Sequence, residues 1–162
     1  MQRSDNGGSV EIAMYPIGFV RGGREDPIDD NWGQSRCVIE LDVTEAGPGA
    51  LTGLDAFSHA EIVYVFDNVR HEEITRGARH PRGRADWPKV GIFAQRGKNR
   101  PNRLGVTVCR IIRVDDTCLE VEGLDAIDGT PVLDIKPVLS GFLPRGDVRE
   151  PAWAREIMKD YW

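Results

Sequence analysis

The residues best suited to chemistry crowd into one stretch of the chain, 91–134. Its first part reads GIFAQRGKNRPNRLGVTV. Arg96, Lys98, Arg100 and Arg103 alternate there with Asn99 and Asn102. Pro101 fixes one φ, and Gly97 and Gly105 permit tight bends. A stiff loop of guanidinium and amide groups suits bidentate recognition of a carboxylate, a phosphate or a base edge. The second part, GLDAIDGTPVLD, runs on into IKPV. It places Asp125, Asp128 and Asp134 within ten residues. Such carboxylates can accept a proton or hold a metal. They can equally cap the Asp128-Gly129 turn and pair with Lys136, which projects to the same side of a strand as Asp134.

Other chemistries find little support. His59, His71 and His80 fall into no Ser-His-Asp or Cys-His order. No Gly-x-Gly-x-x-Gly follows a strand, which argues against a Rossmann nucleotide site. The three cysteines, Cys37, Cys109 and Cys118, form no Cys-x-x-Cys pair, so neither a zinc knuckle nor a disulfide framework is expected. No resident metal is predicted. That cysteine usage, with no apolar leader at the start and no apolar run near 20 residues, predicts a reducing cytoplasm and no membrane span.

The charge is unevenly spread. The chain of 162 residues carries a net −5, which alone argues against a nucleic-acid partner. Yet residues 70–103 hold ten Lys/Arg and three acids, a local +7, against −12 for the remainder. A basic insert on an acidic body is the electrostatic footprint of a polyanion partner. A solvated loop kept soluble by charge gives the same count. Trp87 sits inside this insert and has the best claim among the four tryptophans to stack on a base.

Short apolar runs must position these groups. Strands are predicted over 11–20, 37–43, 60–66, 90–95, 105–114, 119–123 and 131–138, from alternation or β-branched content. In 105–114 the apolar face is read as Val106, Val108, Ile112 and Val114, interrupted by Arg110. Residues 72–89 show no apolar periodicity and are predicted to form a long mobile loop. The stretch 150–162 reads as a helix, with Pro151 in its first turn and Trp153, Ile157 and Tyr161 along one face. With 18 glycines, 10 prolines and one convincing helix, the pattern predicts an all-β fold, an antiparallel sheet closed into a barrel or sandwich. One domain is expected: a flexible start over 1–10, the β domain over 11–148, and a helical tail over 149–162.

Four blocks in order resemble the TsaA/TrmO-type (YaeB-like) family. They are YPIGFVR at 15–21, LTGLDAFSHAEIVYVFDN at 51–68, GIFAQRGKNRPNRLGVTV at 91–108 and LDAIDGTPVLDIKP at 124–137. The resemblance implies a single-sheet antiparallel β-barrel and a homodimer. It implies S-adenosylmethionine-dependent methylation of tRNA at N6 of the threonylcarbamoylated adenosine beside the anticodon. Motif positions carry over a cofactor site of Trp32, Gly33, Gln34, Asp67, Asn68, Arg96, Val106, Leu124, Asp125, Ala126 and Ile127. Asp128 and Asp67 are the candidate general bases. Arg76, Arg79, Arg82, Arg84, Lys89, Lys98, Arg100 and Asn102 are the candidate contacts to the anticodon stem-loop. Three positions depart from the family pattern. Gly97-Lys98 stands where Ser-Pro is usual, Asp67 replaces a histidine after the aromatic strand end, and Val138 replaces a tyrosine. Two alternatives stay open: a barrel that binds tRNA or a nucleotide without turnover, and a methyltransferase acting on another RNA or a small molecule.

Overall fold

Alternation of buried and exposed residues builds the strands. The structure, a computed structural model, describes residues 10–162. The strands are β1 (Gly18–Arg21), β2 (Arg36–Leu41), β3 (His59–Val65), β4 (Ala78–Arg79), β5 (Val90–Gly91), β6 (Leu104–Val114), β7 (Cys118–Glu122) and β8 (Pro131–Pro137). Six of them close into an antiparallel barrel in the order β1-β2-β7-β6-β3-β8, with β8 pairing back onto β1. β4 and β5 form a separate two-stranded ribbon. The predicted all-β barrel is therefore the fold. Closure satisfies the edge groups that an open sheet would leave unpaired. The flexible start predicted for 1–10 falls almost entirely outside the described residues. Among the described residues no helix is long and apolar enough to cross a membrane.

Inward residues from every barrel strand meet in one core. Val20, Cys37, Ile39, Ala60, Ile62, Tyr64, Cys109, Leu119, Val121 and Val132 are buried there, and Leu124 and Ala126 join them from the segment before β8. Each large side chain buried this way contributes roughly 1.5–3 kcal/mol. Burial also pushes the Cys37 and Cys109 thiols up to about 12, so both stay neutral packing groups.

The strand predicted over 11–20 forms only at Gly18–Arg21, and three further expectations need correction. First, β6 presents the opposite face to the one its apolar residues suggest. Gly105, Thr107 and Cys109 point inward, while Val108 is half exposed. The reason is space: Gly105 lies opposite Tyr64, whose ring fills the volume a larger side chain would need. A bulge between Ile111 and Arg113 then shifts the register, and Val114 returns to the core side. Second, 90–95 is a strand for only two residues. It turns at Ile92–Ala94 into a 3-10 turn that buries Ile92. Third, 72–89 is not a structureless loop. It carries short 3-10 turns at His71–Glu73 and Pro81–Gly83 and the strand β4. Its anchors are polar, which hydrophobic periodicity does not report. The buried Gln95 amide donates to the carbonyls of Arg79 (3.2 Å) and Val90 (3.0 Å), and the Trp87 indole N–H donates to Glu156 Oε2 (2.7 Å). Trp87 is 5% exposed and covered by the Arg84 guanidinium, so it is a structural anchor and offers no face to a base.

Helices are few. α1 (Val43–Ala46) is one turn capped by Asp42. α2 (Ala152–Met158) begins after Pro151 and is shorter than the predicted 150–162. Trp153, Ile157 and Tyr161 are half-buried on one side, as their spacing predicts.

Outside the barrel, Glu122 of β7 accepts from Arg36 of β2 (2.7 Å) and Arg110 of β6 (2.6 Å) across both neighbouring strands. The Arg36 hydrogen bond, then that from Arg110, holds the Glu122 carboxyl below its ordinary range. A depressed carboxylate stabilises the fold above its unfolded pKa, near 4.3, and that contribution is lost as pH falls through the folded value. Glu122→Gln should therefore lower the melting temperature at pH 7, with the deficit shrinking in melts recorded below about pH 4. A deficit that persists undiminished at pH 3 would contradict the charge argument.

Candidate functional site

The end of β3 and the start of β6 carry Asp67, Asn68, Arg96 and Val106 of the predicted site. β3 leads into Phe66-Asp67-Asn68, and the Phe66 N–H donates to the Arg103 carbonyl (2.8 Å). Arg103 Nη1 donates back to the Val69 carbonyl (2.9 Å). Arg100–Arg103 is a turn closed by the Arg103 N–H on the Arg100 carbonyl (3.0 Å), with Pro101 at its second position. Arg100 Nη1 donates to the Gln95 carbonyl (3.0 Å). These bonds stiffen the loop. Gln95, stapled inside the ribbon, then delivers Arg96 outward. One Arg96 nitrogen donates to the Val106 carbonyl of β6, and among the described residues no carboxylate forms an ion pair with it. Its remaining donors face solvent.

Asp125 is the hub of the other half. Its Oδ1 accepts from the Tyr64 hydroxyl of β3 (2.8 Å) and from the Thr107 hydroxyl of β6. Its Oδ2 accepts from the Tyr161 hydroxyl of the C-terminal tail. Burial, and then the Asp125 charge, raise both tyrosine phenols above their ordinary range. At neutral pH both therefore donate, and neither can act as a base. The segment 32–35 lies alongside: the Gly123 N–H donates to the Ser35 carbonyl (2.9 Å), and the Trp32 N–H donates to the Tyr161 carbonyl (2.7 Å). Trp32 is buried beneath the Arg24 guanidinium, while Gln34 is exposed. Leu124 and Ala126 are buried, and Ile127 accepts the Thr130 hydroxyl (2.7 Å).

A path of contacts thus joins the two halves. It runs from Phe66, edge-on to Tyr64 with ring centroids 5.3 Å apart, through Asp125 to Tyr161 and Trp32. Asp128 stands outside it. Its Oδ1 accepts the Gly22 N–H (2.7 Å), which commits the carboxylate to the turn after β1. Asp67 is exposed, with no ion pair among the described residues. Asp134 pairs with Lys136. Among the described residues no group of three or more His, Cys, Asp or Glu could hold a metal ion.

The basic residues divide into two sets. Arg82 pairs with Asp30 (2.7 Å), and Arg84 pairs with Asp86. Arg76, Arg79, Lys89, Lys98 and Arg100 form no ion pair among the described residues, and Asn102 is exposed. Arg79 is half-buried and its Nε has no partner. A Cβ on Gly97 would lie 2.7 Å from its guanidinium, so the glycine at this position makes room for Arg79. The sequence missed two residues. Phe93, 79% exposed on the 3-10 turn, is the aromatic that this basic region offers to solvent. Tyr161 reaches Asp125 from 36 residues away. An aromatic beside a run of cations could have marked Phe93; nothing in the local pattern marks Tyr161.

A family model, the tRNA-methyltransferase O N-terminal domain, matches residues 24–142. The chain belongs to this family. An Escherichia coli relative named tRNA (adenine(37)-N6)-methyltransferase is 40% identical over 96 residues, covering 56% of this chain and 40% of that protein. A human protein of the same name is 36% identical over 102 residues, 63% of this chain and 23% of its own length. This family member therefore spans about a quarter of the human relative. A Pyrococcus abyssi relative, named a probable S-adenosyl-L-methionine-binding protein, is 31% identical over 143 residues, 86% of this chain and 72% of that one. The crystal structure of TrmO from Pseudomonas aeruginosa superposes with a TM-score of 0.71 at 25% identity, over 91% of this chain and 64% of that one. Residues 143–162, including α2 and Tyr161, lie beyond the family match.

Proposed function

We propose that this family member binds S-adenosylmethionine and methylates tRNA on N6 of the adenosine beside the anticodon, in its threonylcarbamoylated form. The observation that carries this reading is a split donor set: Arg96, without an ion pair among the described residues, rests on the Val106 carbonyl of β6, and Asp125 accepts hydroxyls from Tyr64 of β3 and Thr107 of β6. The donor set fits the cofactor. Arg96 suits its carboxylate, Asp125 suits hydroxyl or amine donors, Asn68 and Gln34 add amides, and the buried Leu124 and Ala126 back the site. The group supplies, when bound, an activated methyl on a sulfonium, so the protein's contribution is chiefly proximity and orientation.

The acceptor nitrogen belongs to a urea-like group and must lose a proton. Asp67 is the base favoured here, because Asp128 is committed to the Gly22 amide. Asp67→Asn is then expected to lower turnover by about 100-fold or more while leaving cofactor affinity in place. Equal turnover in a single-turnover assay would remove Asp67 from the mechanism.

Arg76, Arg79, Lys89, Lys98 and Arg100 would meet the stem-loop phosphates, and Phe93 would stack on an unpaired base. Arg82 and Arg84 contribute as paired, positioning groups. Five phosphate contacts predict roughly a 500-fold loss of tRNA affinity between 50 and 200 mM salt. Filter binding across that range tests it, and a flat salt response would exclude the basic insert as the RNA surface. Exposed Met14, Tyr15, Phe142 and Leu143 are apolar surface that a second copy would cover, which supports a homodimer. A cytoplasmic tRNA substrate fits the neutral, buried Cys37 and Cys109 thiols.

A further inference from the structure

The C-terminal tail lies across the predicted cofactor residues. The Asn31 N–H donates to the Asp160 carbonyl (2.8 Å) and the Trp32 N–H to the Tyr161 carbonyl (2.7 Å). The Tyr161 hydroxyl donates to Asp125 Oδ2. A Cβ on Gly33 would stand 2.7 Å from the backbone of Trp162, so the tail rests directly on that glycine. The Trp87–Glu156 hydrogen bond ties α2 to the basic insert at a point removed from these contacts. Every one of these tail groups lies beyond the family match at 142.

The chemistry of the contacts is that of a nucleoside ligand. A carboxylate that accepts hydroxyls from two barrel strands presents its second oxygen to one more. A carboxylate that accepts hydroxyls is a recurrent way to read a ribose. Here a phenol supplies that hydroxyl and two backbone carbonyls take the Asn31 and Trp32 N–H groups. We propose that the tail is an intramolecular occupant of the ribose-reading part of the cofactor site, displaced when a nucleoside cofactor binds. The inference rests on the reading that this chain binds S-adenosylmethionine. A ligand that must displace the tail binds more weakly by the free energy that holds the tail down. Loosening the tail therefore tightens ligand binding, which a merely structural role would not do.

The probe is S-adenosylhomocysteine, titrated calorimetrically into the full chain. Tyr161→Phe removes one hydroxyl-to-carboxylate bond and is expected to tighten binding about tenfold. Glu156→Gln weakens the Trp87 tie without touching Asp125 and is expected to tighten it about threefold. In the wild type, saturating S-adenosylhomocysteine is expected to speed tryptic cleavage after the exposed Lys159, followed by mass spectrometry. Binding with cleavage unchanged or slowed, or with neither variant tightened, overturns the proposal and leaves the cofactor reading standing. Weaker binding by Tyr161→Phe also overturns it, because the tail is then part of the site. No binding by the wild type or by either variant overturns the cofactor reading and this inference with it.

Discussion

Replacing Arg96 with alanine is expected to weaken S-adenosylmethionine binding by about thirty- to a hundred-fold. A guanidinium bonded to a carboxylate is worth roughly 2–3 kcal/mol where water is partly excluded, and each 1.4 kcal/mol is a factor of ten. Arg96 is the basic side chain delivered by the stapled Gln95 turn onto the start of β6, and no acid of the described chain competes for it. Among the described residues its side chain donates to the Val106 carbonyl alone, which water can satisfy after truncation. The melting temperature should accordingly change little. Arg96→Lys keeps the charge but loses the planar fork, and should recover part of the affinity. Calorimetric titration of the three proteins separates these cases. Wild-type affinity in Arg96→Ala would place the cofactor's carboxylate elsewhere.

Gly105→Ala is expected to destabilise the barrel by overpacking its core. The new Cβ would stand 2.4 Å from two ring atoms of Tyr64. That ring cannot swing away easily: Tyr64 is 1% exposed, packs edge-on against Phe66 and is fixed by its hydroxyl on Asp125. Overpacking of this kind costs about 1–3 kcal/mol, or a fall of roughly 5–10 °C in melting temperature at the upper end for a chain of this size. The displaced Tyr64 hydroxyl would also release Asp125, so cofactor affinity should fall together with stability. In a Tyr64→Leu background the same methyl should cost much less, because the two sites are in contact and their effects are not additive. Thermal melts of the four proteins test this. A full, additive loss in the Tyr64→Leu background would show that the strain lies elsewhere.

The strands of the barrel were legible because their burial follows a period of two. β2, β3, β7 and β8 fall within a residue or two of the apolar runs that announce them. β6 was legible as a strand but not in its facing. Its inward residues are a glycine, a threonine and a cysteine, chosen for room and hydrogen bonding rather than hydrophobicity. The basic insert was misread for a related reason. Its order comes from Gln95, Trp87 and Pro81 contacts made to backbone and to α2, and such contacts leave no periodic trace. Arg96 and Asp125 could be singled out because each sits in a long, specific motif. Tyr161 could not: its partner is fixed only once the tail has folded back over the 31–34 turn.

One measurement reaches the proposed transfer of a methyl group to tRNA directly. The purified chain is incubated with methyl-labelled S-adenosylmethionine and threonylcarbamoylated tRNA, and the product is digested to nucleosides and analysed by mass spectrometry. Label is expected in a single nucleoside, N6-methylated threonylcarbamoyladenosine from the position beside the anticodon, and is expected to be lost in Arg96→Ala. Folded protein that binds cofactor and tRNA yet leaves that adenosine unlabelled would contradict the proposed transfer.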